Sequence, residues 1–161
     1  MDKGSAIMGA VLIALIIIPF IIYSQNARRK KSQLLKQLKA LASANNGQIS
    51  RHEFSGHTLI GMDENKLLVF FIKKIHDQMT EQVVDLAGIQ EVKIYNGGKV
   101  INNQNAEVRI GDKLEMGFIP RDSGQLTTKL EFFNVKDNFQ LHTELLTAEK
   151  WAGEINQLLK K

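Results

Sequence analysis

The residues of this chain best suited to chemistry are four histidines, His52, His57, His76 and His142. Imidazole titrates near neutral pH and is a common metal ligand. A zinc site would pair histidines at helical spacing, join them to cysteines, or set them in an HExxH frame. None of these patterns occurs, and the chain has no cysteine. His52 and His57, with Glu53 between them, suit a hairpin, but solvent-facing strand positions explain them more simply, and His142 likewise. Gly97-Gly98-Lys99 has the end of a phosphate loop without its beginning, and a hairpin turn accounts for it better. Asp112 and Asp122 lie beside glycines, as turn aspartates do. Nucleophile-elbow, Walker and dinucleotide motifs are absent. The expectation is a chain that is not an enzyme, with no metal and no cofactor; an enzyme with an unrecognised site ranks last of three readings.

The elements that would position these residues begin with an uneven distribution of charge. Residues 4–27 carry no charge, and Ala6 to Tyr23 reads AIMGAVLIALIIIPFIIY. A helix needs about 20 apolar residues to cross a bilayer. The uncharged stretch would reach roughly 36 Å at about 1.5 Å per residue. Residues 4–27 are therefore expected to be a transmembrane helix, with Pro19 near one end and Tyr23 at the interface. A cleaved signal peptide fits less well. The n-region has one lysine, and the cleavage-like triplet Ala42-Ser43-Ala44 lies far beyond the apolar core. Ala6, Ala10 and Ala14 share a helix face, which ordinary alanine usage explains better than helix pairing does.

Arg28, Arg29, Lys30, Lys31, Lys36 and Lys39 follow without an acid among them. The net charge of +4 comes from this block, because residues 40–161 hold 14 bases and 16 acids. A nucleic-acid-binding domain would carry its bases on the folded surface, so no nucleic acid is expected as a partner. The positive block should stay on the cytoplasmic side. This predicts a single-pass protein of the inner (cytoplasmic) membrane, N-terminus out and C-terminal domain cytoplasmic. Tyr23, Arg28, Arg29, Lys30 and Lys31 are its expected membrane interface. Residues 28–46 read as a basic connector helix with the apolar stripe Leu34, Leu38, Leu41 and Ala42, stopped at Asn45-Asn46-Gly47.

From residue 47 the apolar period shifts from helical to two. His57–Met62, Lys66–Ile75, Glu81–Leu86, Ile89–Tyr95, Ala106–Ile119, Leu126–Asn134 and Phe139–Leu145 are strand candidates, and Gln48–Phe54 is an additional one. Asn96-Gly97-Gly98 is a turn signal. The last two candidates form an expected hairpin. The helical period then returns over 147–161, with Thr147 as the expected N-cap and Trp151 and Ile155 as anchors on its apolar face. The fold class is mainly β (α+β): seven antiparallel strands in a barrel or sandwich, capped by a C-terminal α-helix.

This strand count, the final hairpin and the helix Ala148-Glu149-Lys150-Trp151-Ala152-Gly153-Glu154-Ile155 resemble the pleckstrin-homology-like superfold. The resemblance covers residues 48–161. The chain is also similar to small bacterial membrane proteins that join one anchor to such a domain. Classical members bind phosphoinositides through a basic loop between the first two strands. Here that loop is Asp63-Glu64-Asn65-Lys66, mostly acidic, so headgroup binding does not carry over. Peptide or protein binding, known for other members, remains open.

Lys66–Ile75 is apolar on both faces. If Leu68, Phe70 and Ile72 fill the core, then Leu67, Val69 and Phe71 point outward and need cover. The Leu34/Leu38/Leu41 helix is one cover; a partner protein or a second copy is the other. Leu67, Val69, Phe71, Lys73 and Lys74 thus form the candidate interaction patch. The expected function is a membrane-tethered interaction or scaffold module. The alternative is a sensor of anionic lipid that uses the basic arm, at about 1 kcal/mol per base.

Overall fold

The computed structural model describes residues 3–97, 99–100, 111–122, 124–137 and 143–160. Two compact units divide the chain, Met1–Gln37 and Leu38–Lys161. Helix α1 spans Lys3–Ala44 without interruption. The expected segment 4–27 and residues 28–44 of the expected connector 28–46 are thus consecutive stretches of one helix, and its last residues belong to the second unit. Among the described residues, no helix is long and apolar enough to cross a membrane. The side chains at 3–12, 14–16, 18–24 and 27 lie outside that description.

The stop at the end of α1 is made by backbone caps. Asn46, rather than Gly47, takes the left-handed conformation, with φ of 56°. The N–H groups of Asn45 and Gly47 both donate to the Ala42 carbonyl, at 3.0 and 2.8 Å. The side-chain amide of Asn45 donates to the Leu41 carbonyl at 2.8 Å. These bonds satisfy carbonyls that a helix end leaves without partners.

Eight strands follow among the described residues. They are β1 (Arg51–Ser55), β2 (Thr58–Asp63), β3 (Leu68–Ile75), β4 (Gln78–Asp85), β5 (Ile89–Asn96), β6 (Lys99–Val100), β7 (Lys113–Pro120) and β8 (Thr128–Asn134). They form two antiparallel sheets, ordered β1-β2-β3-β4 and β6-β5-β7-β8. Among the described residues the ladders do not close into one barrel. Strand β1 realises the additional candidate at Gln48–Phe54. Two-residue turns at Gly56-His57 and His76-Asp77 set the registers of the first sheet. Gly56 and His76 both take positive φ, which glycine adopts freely and histidine at some cost.

Helix α2 spans Glu144–Leu159, and Thr143 is its N-cap position. Thr147 is therefore not the cap but a buried residue of the first turns, its N–H donating to the Thr143 carbonyl at 2.9 Å. The expected strand Phe139–Leu145 lies partly outside the described residues. Its last two residues, Glu144 and Leu145, open α2 instead. The physical reason is spacing: Leu145 precedes Ala148 by three residues and Ala152 by seven, so it continues the helical stripe as readily as it ends a strand.

The main core lies between the sheets and under α2. Ile60, Met62, Val69, Phe71 and Val84 of the first sheet meet Val92, Leu114, Met116, Phe118 and Leu130 of the second. Trp151, Ala152 and Ile155 close it from the helix side. The rings of Phe71 and Phe132 lie 5.2 Å apart and tilted, an arrangement that adds to plain burial.

Candidate functional site

The interaction patch read from the sequence is not a surface in the fold. Val69 and Phe71 point into the inter-sheet core at 0% and 1% exposure. Leu67 is partly buried against the same core. The outer face of the first sheet instead carries Leu59, Phe70 and Ile72, which are also fully buried. The face assignment of β3 is therefore reversed, and both faces are covered. The cause is Gly61, which pairs with Phe70 across β2 and β3. A Cβ built on Gly61 would lie 2.7 Å from Leu38 Cδ2. The bare position seats Leu38, which with Ala42 is buried at the end of α1.

Lys73 is likewise no steering charge on an exposed patch. It is 7% exposed, and its ammonium donates to Glu131 Oε1 at 2.5 Å and Asp137 Oδ2 at 2.9 Å. Lys113 reaches Glu131 Oε2 at 2.7 Å and Glu115 Oε1 at 3.1 Å. This ionic cluster ties β3 to the second sheet. Lys74 is half-buried, and its backbone N–H donates to the His57 carbonyl at 2.9 Å. Burial alone would raise the Glu131 carboxyl, but hydrogen bonds from Lys113 and Lys73 outweigh it and hold it below the usual carboxylate range. Glu131 and Glu115 together push the Lys113 ammonium up.

A second seam binds α2 to β1. The Arg51 guanidinium stacks over the Trp151 ring, 4.9 Å from its centroid. It is also ion-paired with Glu154 and with Glu64. Glu53 accepts from the Trp151 indole and from Lys150, each at 2.9 Å. Burial would raise the Glu53 carboxyl, yet these two bonds lower it. Farther along α2, the Asn156 side chain accepts from the Val92 N–H and donates to the Val92 carbonyl, both at 2.8 Å. Trp151 and Ile155, the helix anchors expected from sequence, lie in the core at 2% and 0% exposure.

A third feature is the exit of α1. Asp63 collects the N–H groups of Gln48, Lys66 and Asn65 at 2.7, 3.0 and 3.0 Å. These bonds hold its carboxyl low against the opposing effect of burial. Lys66 donates to the Asn46 carbonyl. The connection from α1 to β1 is thereby fastened to the β2–β3 turn. Beside it lies an open groove of about 270 Å³ lined by Lys39, Ser43, Gly47, Gln48 and Ile49.

Three of these carboxyls, Glu53, Asp63 and Glu131, are lowered by folding. A lowered folded value means their stabilisation is complete above the unfolded pKa, about 4. It is lost as pH falls through the folded values. The urea midpoint of the second unit should hold from neutral pH down to roughly pH 5 and fall below that. The Glu131→Gln variant should show a shallower fall, and an equal slope in both proteins would refute the assignment.

The three described histidines are not gathered into a site. His52 is exposed on β1, His57 and His76 are exposed in turns, and His142 lies outside the described residues. No group of three metal-binding side chains occurs among the described residues. Arg28, Arg29, Lys30 and Lys31 are exposed along α1, while the Tyr23 side chain lies outside the description. Sequence reasoning missed Arg51, Asp63 and Asn156. Asp63 opens a turn-like run, a signal for a side chain that caps its own turn. Asn156 is a weak helix former set next to Ile155 in an apolar stripe. No family model, curated protein or solved structure matches the chain.

Proposed function

We propose that this chain is a membrane-tethered interaction module, not an enzyme, holding a pleckstrin-homology-like domain at the cytoplasmic face of the membrane. The uncharged run at residues 4–27 supplies the anchor, and the basic block after it sets the orientation. The observation that carries the reading is the continuity of α1. Its last residues, Leu38 and Ala42, are buried parts of the second unit. Cleavage at the triplet Ala42-Ser43-Ala44 would strip Leu38 from its seat over Gly61, so a discarded leader fits poorly. The two antiparallel sheets and closing helix agree with the superfold likeness. The charged groups Lys73, Glu131, Arg51 and Glu53 hold strands and helix together, a structural use that favours the non-enzymatic reading. Tethering would raise the effective concentration of whatever the domain binds. A second reading, sensing of anionic lipid, draws on the exposed bases Arg28, Arg29 and Lys30.

Two measurements on the full chain test the tether. Alkaline carbonate should leave the protein in the membrane pellet, and the paired change Leu12→Lys and Ile16→Lys should release it. Because the chain has no cysteine, Ser5→Cys and Lys136→Cys can be labelled singly. An impermeant maleimide should reach Ser5→Cys in intact cells and Lys136→Cys only after lysis. Release of the parent protein by carbonate would end the anchor reading, and the opposite labelling pattern would reverse the orientation. For the interaction role, a tagged full chain cross-linked in cells should capture a protein or a second copy. Its recovery alone would remove that role.

A further inference from the structure

We propose that the groove at the exit of α1 is a docking site for carboxylate side chains of an acidic protein segment. This rests on the interaction-module reading and names the chemistry of the partner. The groove's side-chain polar groups are the Lys39 ammonium, the Ser43 hydroxyl and the Gln48 amide, and Ile49 adds an apolar contact. All of the polar groups offer hydrogen-bond donors, and none is a carboxylate. Lys39, Ser43 and Gln48 are exposed, and Lys39 has no acidic partner among the described residues. The negative end of a helix would normally disfavour an anion here. At this end, however, the carbonyls of Leu41, Ala42 and Ser43 already accept from Asn45, Gly47 and Asn46. Asp63, behind the loop, accepts from three backbone N–H groups.

The charge pattern favours an acidic protein segment over lipid headgroups. Lys39 ends a run of bases that begins at Arg28 and contains no acid, so the sequence leading into the groove complements an acidic segment. Lys39 also comes twelve residues after Ala27, about 18 Å of helix. The headgroup layer is only about 5–8 Å thick on each side of the bilayer.

The test is fluorescence anisotropy of a labelled decaglutamate peptide with the full chain in discs of neutral lipid. Binding by the parent protein should weaken about tenfold or more in Lys39→Glu, weaken less in Ser43→Ala, and persist in Lys39→Arg. Lys39 and Ser43 are exposed, so melting temperatures of all three variants should match the parent's. Three outcomes overturn the groove: no binding by the parent, equal binding by Lys39→Glu, or peptide displacement by anionic vesicles that Lys39→Glu does not affect. Failure here with cross-linked capture intact would remove the groove and leave the interaction module standing. Failure of capture would remove the module itself.

Discussion

The Val69→Glu variant is expected to lose the fold of the second unit altogether. Val69 is fully buried among Ile60, Phe71, Val84 and the residues of the second sheet. The residues clustered with it are apolar, so a carboxylate would be either ionised without a partner or forced neutral. Each course costs several kcal/mol, against a total domain stability of about 5–15 kcal/mol. Leu126→Glu is the matched control. Leu126 is 94% exposed, so the same introduced charge should change stability by no more than about 0.5 kcal/mol. The single tryptophan, Trp151, sits in the affected core and reports on it directly. Red-shifted emission and a lost melting transition in Val69→Glu alone are the expected result. Native emission in Val69→Glu would mean that this face of β3 is a surface after all.

The second large effect concerns Gly61 and Leu38. Leu38→Ala should cost about 2–5 kcal/mol, the range for emptying a buried leucine site. Gly61→Leu should cost about 1–3 kcal/mol by forcing Leu38 and the loop residue Ile49 aside. The two sites share one space, since Leu38 Cδ2 occupies the position a Gly61 side chain would enter. The double variant should therefore be clearly more stable than the sum of the single losses predicts. Urea denaturation of the four proteins measures this coupling. Simple additivity would show that Leu38 and Gly61 do not share the space.

Local signals in the sequence carried most strands. Turn residues and alternation marked β2 through β5, β7 and β8, because each has one apolar period bounded by glycine, asparagine or aspartate. Strand β3 was recognisable as two-sided, but its inward face was not. When Leu68 to Ile72 are all apolar, the pattern is the same in either orientation, and only the neighbours decide. The deciding neighbour was Gly61, whose lack of a side chain marks the face that receives a helix. The start of α2 was misplaced because Thr143 and Thr147 both precede apolar residues at helical spacing. The ionic cluster at Lys73 and the seam at Arg51 join residues far apart in the chain, as in the pairing of Arg51 with Glu154. No local spacing rule encodes such partners. The α1 exit groove shares this character, since its lining exists only once Gln48 is drawn to Asp63.

The Asn156 contact has a consequence for crowding of the protein with its own kind. Strand β5 pairs with β7 along one side, and among the described residues β6 reaches only Tyr95 and Asn96 on the other. Val92 would otherwise present a bare N–H and C=O at that margin, which is where growing fibrils recruit their next chain. The Asn156 amide imitates a peptide group and fills the vacancy. With that rung occupied, β5 offers one backbone pair fewer to an incoming strand, so the residue that fastens α2 also blunts this edge as a template.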